Sequence, residues 1–124
     1  VVVQPMRKGI ELIVGGKMDP QFGPTVLLGM GGVYTEVFKD ASIRIAPLST
    51  EDMEEMIHEL KIYPILKGTR GEKPINFTDL KKILKGVSAL MSSGKISELD
   101  LNPVIATPTK VEAVDVRTIE SPDF

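Results

Sequence analysis

Asn102 and Asp115, with Asp100 beside them, have the types and spacing to hold a hard cation. In Ile96 to Ile105, Leu99 and Leu101 alternate with Glu98, Asp100 and Asn102, so a strand places the three polar side chains on one face. In Val111 to Val116, Asp115 points to one side with Val111 and Ala113. A chain reversal about Pro108-Thr109 makes these segments a β-hairpin in which Asn102 falls directly opposite Asp115. Directly opposed residues have Cβ atoms ~4.5–5.5 Å apart, close enough for two oxygen-bearing side chains to share an ion. Hard oxygen donors point to Mg²⁺, which commonly uses one or two protein groups, retains waters and shares substrate phosphates. Pro108 excludes a type I′ turn, so a type I turn with Pro108 second is expected, inside a loop of about four residues. The same spacing also suits plain solvent-facing residues on a half-exposed strand.

The elements that must position this hairpin follow from the rest of the pattern. Val1 to Met6 reads as a strand, Lys8-Gly9 as a turn, and Ile10 to Lys17 as a strand in which Ile10, Leu12 and Val14 alternate with Glu11, Ile13 and Gly15. Asp19 to Pro24 is rich in turn formers and is expected to be a loop before a strand over Thr25 to Met30. Gly29-Met30-Gly31-Gly32 superficially resembles a phosphate cradle, but it leads into Val33 to Phe38, a strand pattern, rather than into a helix. Glycines so placed mark a bulge or close backbone approach, or else contact phosphate directly.

Ser42 to Leu48 forms a short strand that Pro47 ends, and Ser49 or Thr50 then caps a helix with Glu51 and Asp52 in its first turn. Met53, Met56, Ile57 and Leu60 recur at helical spacing as core contacts. His58, the only histidine, is read as a solvent-facing or interface residue. Lys67 to Pro74 is a basic loop in which Arg70 either meets a phosphate or carboxylate or is a solvated connector. A second helix starts at Asn76 or Thr78, buries Leu80, Ile83, Leu84, Val87, Leu90 and Met91, turns Lys81, Lys82 and Lys85 to water, and ends at Gly94. The tail from Glu120 is expected to fray. The whole is an α+β arrangement, a mainly antiparallel sheet with two helices on one face.

The string Ile96-Ser97-Glu98-Leu99-Asp100-Leu101-Asn102-Pro103-Val104, followed by Ala113-Val114-Asp115-Val116-Arg117, resembles the end of the ATP-grasp domain of nucleotide-dependent acyl-CoA ligases. The likeness is strongest to the β subunit of ADP-forming acetyl-CoA synthetase, a relative of succinyl-CoA synthetase, and it runs through essentially the whole chain. It implies the carboxyl-terminal half of an ATP-grasp fold, with Asn102 and Asp115 as Mg²⁺ ligands and Asp100 as a further oxygen donor beside them. It also implies that Gln4, Pro5, Met6 and Arg7 lie against the adenine of ATP or ADP and that Glu11 contacts the ribose. Gln4 departs from the Glu of succinyl-CoA synthetase, which leaves base preference open, and Glu11 without the resemblance reads as an outward residue on a half-buried strand. Asp19, Glu36, Lys39 and Asp40 are expected along the same cleft without a defined role.

The activity so implied is phosphoryl transfer between ADP and an acyl phosphate or phosphohistidine. A partner α subunit or CoA-binding domain would handle CoA and a short-chain acid, in a hetero-oligomer. The phosphate-binding lysines and the loop histidine of the family's other half are not recognisable, and nothing around His58 matches the family's phosphohistidine motifs. The rival readings are a non-catalytic regulatory module of a fused acyltransferase and an inert scaffold.

Composition narrows the field further. The chain has 124 residues, enough for a single domain over 1–124. Its opening Val1-Val2-Val3-Gln4-Pro5 reads as the inside of a strand, so one part of a larger protein is expected. Fifteen basic and seventeen acidic residues give no electrostatic case for nucleic acid or an anionic membrane. The absence of cysteine removes disulfides, thiol nucleophiles and zinc thiolates together. No apolar run approaches the ~18 residues of a membrane span, and a cytoplasmic protein is expected.

Overall fold

The computed structural model describes residues 9–31, 40–68 and 71–121. Among them, six strands form one antiparallel sheet: β1 (Ile10–Asp19), β2 (Gly23–Met30), β3 (Ala41–Ile45), β4 (Ile96–Ala106), β5 (Val111–Ala113) and β6 (Val116–Glu120). The order is β3-β2-β1-β4, with β5 and β6 both paired to the far side of β4. Three helices, α1 (Thr50–Glu59), the short α2 (Tyr63–Leu66) and α3 (Phe77–Ser92), complete the described fold. The strands expected over Val1 to Met6 and Val33 to Phe38 lie outside the described residues.

Alternation decides which face the helices cover. Leu12 and Val14 of β1, Val26 and Leu28 of β2, and Val104 of β4 are fully buried with Met56 of α1 and Leu80, Leu84 and Met91 of α3 in one core. The residues between them in the strands fall on the other face, which no described helix covers. The antiparallel α+β architecture with helices on one face is thus the one expected from sequence, and the four-residue α2, opened by Pro64, is the unforeseen helix.

The β1–β2 connection is tighter than a loop over Asp19 to Pro24. Asp19 and Gly23 already pair across the strands, leaving Pro20 to Phe22 as the turn. The Asp19 carboxylate accepts the N–H groups of Gln21 (2.7 Å) and Phe22 (3.0 Å), and Gly23 takes the left-handed φ of 82° that closes it.

Helix α1 starts with a full capping box: Ser49 Oγ accepts the Asp52 N–H at 3.0 Å, and Asp52 accepts the Ser49 N–H at 2.9 Å. Met53, Met56, Ile57 and Leu60 are all buried as their spacing predicts. On α3 the buried stripe is narrower than expected, running through Leu80, Leu84, Val87, Ser88 and Met91. Leu90 is 47% exposed and Ile83 only half-buried, because they lie on the flank of the Leu80-Leu84-Val87-Met91 line. Ser88 takes an inner place by holding the segment that precedes α1: its Oγ accepts the Leu48 N–H at 2.8 Å. Lys82 and Lys85 face water, but Lys81 is half-buried and paired with Glu54, tying α3 to α1.

The amino end of α3 also clamps the hairpin. Asn76 caps the helix by accepting the Asp79 N–H (3.0 Å), while its own N–H and Nδ2 donate to the carbonyls of Thr107 and Thr109, both at 2.9 Å. Asp79 in turn accepts the Val111 N–H at 3.1 Å. One helix terminus therefore fixes both sides of the turn between β4 and β5.

Candidate functional site

The four residues Thr107 to Lys110 join β4 to β5, with Pro108 and Thr109 at the tip. Val104 stands opposite Ala113, Ile105 opposite Glu112 and Ala106 opposite Val111. The same register runs on through Leu101 opposite Val116, Asp100 opposite Arg117 and Leu99 opposite Thr118. Between them the Asn102 N–H donates to the Asp115 carbonyl at 3.2 Å and the Val114 N–H to the Pro103 carbonyl at 2.9 Å. Asn102 and Asp115 are thus opposed as the spacing predicts.

Two local features were not visible in the alternation. The returning segment is not one strand over Val111 to Val116 but two, broken at Val114-Asp115, and it continues to Glu120. Glu120 pairs with Ile96 and the Ser121 N–H donates to the Lys95 carbonyl at 3.0 Å, so the expected fraying does not begin at Glu120. On its other side β4 bulges: Leu12 faces Val104 and Val14 faces Leu101, so Asn102 and Pro103 together meet Ile13. A bulge bends a strand and re-aims a side chain. Here it shifts the inward phase from Leu99 and Leu101 to Val104 and Ala106, leaving Asn102 exposed at the point of change. Pro103, which has no N–H to offer the ladder, occupies the irregular position, and the Asn102–Pro103 peptide is cis.

The uncovered face of the sheet can be read rung by rung. Ala41, Gly29 and Ile13 lead to the Asn102 bulge; Ile43, Leu27 and Gly15 lead to Asp100 and Arg117; Ile45, Thr25 and Lys17 lead to Glu98 and Ile119. Mostly small and apolar residues, with Thr25 and Lys17, make one side of this surface, and carboxylates and an amide, with Arg117 and Ile119 beyond them, make the other. A concavity of about 800 Å³ lies over it, bounded by Ile13, Gly15, Leu27 and Ile43 on the apolar side and by Glu98 and Asp100 on the acidic side. Gly29 keeps its floor thin, since a Cβ there would stand 3.1 Å from Ala41 Cβ and from the Asp40 carbonyl.

The glycine segment is therefore close backbone packing at its described positions. The Gly31 N–H is used by the Glu11 carbonyl (2.9 Å) rather than presented to a ligand, and Gly32 lies outside the described residues. Asp19 and Asp40 border the concavity, yet both carboxylates serve the fold: Asp19 holds the turn, and buried Asp40 accepts the N–H groups of Lys61 (2.6 Å) and Ile62 (3.0 Å). Glu36, Lys39 and Arg70 lie outside the described residues.

Glu11 is exposed on β1, two residues from Ile13 and so roughly 7 Å along the strand from the bulge. It borders a smaller hollow of about 260 Å³ with Gly9, Met30, Gly31, Ile62 and Ile65. Gln4, Met6 and Arg7 lie outside the described residues. His58 stands on α1, on the covered side of the sheet; its Nδ1 lies 2.7 Å from the Glu54 carbonyl and its ring centroid 4.3 Å from that of Tyr63. It does not border the 800 Å³ concavity.

Residues 1–119 match the ATP-grasp domain profile. The chain belongs to the ATP-grasp domain family. The β subunit of acetate–CoA ligase (ADP-forming) I from Pyrococcus furiosus is 46% identical over 120 residues, which are 96% of this chain and 52% of that subunit. The 4-hydroxybutyrate–CoA ligase (ADP-forming) of Nitrosopumilus maritimus is 42% identical over 106 residues, 85% of this chain and 15% of that protein. Among solved structures, the dinucleotide-forming acetyl-coenzyme A synthetase 1 of Candidatus Korarchaeum cryptofilum superposes with a TM-score of 0.87 at 46% identity, over 94% of this chain and 55% of that one. That enzyme was captured with coenzyme A and Mg-AMPPCP, its phosphohistidine segment pointing towards the nucleotide binding site. This ATP-grasp domain thus spans about half the length of the Pyrococcus subunit.

The donor set of this ATP-grasp domain fits Mg²⁺. Asn102 and Asp115, both with oxygen-bearing side chains, stand at one cross-strand position, Asp100 adds a carboxylate two residues along β4, and all three are exposed. Mg²⁺ commonly uses one or two protein groups and keeps several waters, so a donor set this small is compatible with it. Among the described residues no three His, Cys, Asp or Glu side chains converge on one point. The sequence reading missed Arg117. Extending the hairpin register by two residues would have placed it opposite Asp100, and its Nε lies 3.4 Å from Asp115 Oδ2.

Proposed function

We propose that this chain is the nucleotide- and Mg²⁺-holding part of an ADP-forming acyl-CoA synthetase. The observation that carries the reading is the direct opposition of Asn102 and Asp115 at the β4 bulge, on the uncovered face of the sheet. Asn102 and Asp115 would hold the ion, with Asp100 beside them. When bound, Mg²⁺ bridges phosphate oxygens and offsets their charge during phosphoryl transfer. Glu11 would meet the ribose, and Gln4, Met6 and Arg7 the adenine of ADP or ATP. No side chain of the described residues is needed as a nucleophile, because positioning and charge compensation supply most of the catalysis in phosphoryl transfer.

The acyl group and CoA belong, in this reading, to an α subunit or CoA-binding domain. Relatives named for acetate and for 4-hydroxybutyrate share 46% and 42% identity with this one segment, which supports placing the choice of acid elsewhere. The same relatives favour a ligase over a regulatory module. Among the described residues no helix is long and apolar enough to cross a membrane, and the reading is of a cytoplasmic enzyme.

Calorimetry of ADP binding, with Mg²⁺ and then with excess chelator, tests the proposal on this chain and on the longer protein that carries it. The expected result is binding in the longer protein that requires Mg²⁺. Failure of ADP to bind the longer protein under either condition would refute it.

A further inference from the structure

Arg117 completes a square of side chains with the three candidate ligands. Asn102 faces Asp115, which lies in the break between β5 and β6, and two residues along β4 Asp100 faces Arg117 of β6. The guanidinium Nε is 3.4 Å from Asp115 Oδ2, a single contact between a side chain 80% exposed and one 53% exposed. Directly opposed residues share a face, so the backbone register also sets Arg117 across from Asp100, while among the described residues the guanidinium's ion pair is with Asp115. Two carboxylates and one guanidinium leave the square with one net negative charge instead of two.

We propose that Arg117 is a charge-compensating specificity residue that makes this site take a metal–nucleotide complex in preference to the bare metal; the inference rests on the Mg²⁺ assignment above. A free divalent ion seeks the most negative oxygen cluster available, and Arg117 lowers that attraction by pairing with Asp115 itself. The pair rests on a single contact and is solvent-exposed, the kind that contributes little and exchanges readily, so it yields to an incoming ion without a large barrier. A polyphosphate arriving with the metal reverses the balance. Its negative charge is opposed by Asp100 and Asp115 but welcomed by a guanidinium, whose planar set of N–H donors matches phosphate oxygens. The same residue thus penalises the bare ion and favours the complex.

Binding of Mn²⁺, followed through the paramagnetic resonance signal of the free ion, separates the two effects when run with and without ADP on the full protein. Arg117→Gln is expected to tighten Mn²⁺ alone by about two- to fivefold and to weaken Mn²⁺ in the presence of ADP by a similar factor, the scale of an exposed charge pair. The ratio of the two affinities then falls roughly tenfold, and Arg117→Lys restores most of it by returning the charge. A merely structural arginine would lower both affinities together in the Gln variant, and that result, or no change in either, overturns the inference while the metal site stands. If the wild-type protein binds Mn²⁺ neither alone nor with ADP, the metal assignment fails and takes the inference with it.

Discussion

The two faces of the sheet are built from neighbouring residues of the same strands and behave oppositely. On the covered face Leu12, Val14, Val26, Leu28 and Val104 are fully buried, under Leu80, Leu84 and Met91 of α3 and Met56 of α1. On the open face Ile43 is 55% exposed and the turn residue Phe22 61% exposed, and the polar residues Asp100, Asn102 and Asp115 all reach water. A one-residue slip of any strand would exchange the two faces, so burial on one side fixes the register on the other. The opposition of Asn102 and Asp115 is therefore enforced by residues that never approach the site. Only at the bulge, where Asn102 and Pro103 share Ile13, does the strand escape its own alternation.

The largest blow to this division comes from the covered side. Leu84→Ala should lower stability by about 2–5 kcal/mol, measured by denaturant unfolding, because the side chain is fully buried between the helix and the sheet. A loss well under 1 kcal/mol would mean that the site's register is held by something other than this core. A smaller effect belongs to the α1 cap: Ser49→Ala should cost about 1 kcal/mol through loss of the Oγ acceptor for Asp52.

The same cap carries a pH dependence. Asp52 is held below the usual carboxylate range first by the Ser49 N–H and then by the Ser49 side chain, and Glu59 is held low chiefly by its hydrogen bond from Arg44. A depressed carboxylate contributes stability above its unfolded pKa and loses it as pH falls through the folded value. The melting temperature should accordingly hold steady near neutrality and decline as the solution is taken below the carboxylate range, with a shallower decline in Ser49→Ala. Smallest of all, His58→Gln should change stability by less than about 0.5 kcal/mol and leave nucleotide binding alone, since the ring is half-exposed on the far side of the sheet. A nucleotide-binding defect in that variant would erase the distinction between the faces.

Much of this arrangement was legible because alternation and turn chemistry agree. Leu99 and Leu101 against Asp100 and Asn102, with Pro108 at the centre of symmetry, are sufficient to place the hairpin and its register. The adjacent apolar residues Ala113 and Val114 disturb the alternation of Val111 to Val116, but the break at Val114-Asp115 was not legible, because the interruption depends on what β4 does across the ladder. Pro103 inside a strand pattern was a readable bulge signal, since proline cannot donate to the ladder. The four residues of α2 are too few to show a period. Asp40 looked like a cleft residue and proves to be a buried acceptor for backbone N–H groups some 20 residues away in sequence, a pairing that only the tertiary fold creates. Leu90 was counted into the core because an apolar residue beside a helical stripe cannot be told from a member of it without knowing how wide the facing surface is.

The central claim is that the open face holds the chemistry while the covered face holds the fold. Asp115→Ala in the full protein, measured for both melting temperature and Mg²⁺-dependent ADP affinity, addresses it most directly. The account predicts a melting temperature close to wild type, since the carboxylate is exposed and among the described residues its ion pair is with exposed Arg117, together with at least a tenfold loss of ADP affinity in Mg²⁺, about 1.4 kcal/mol. An unchanged Mg²⁺-dependent affinity would contradict it.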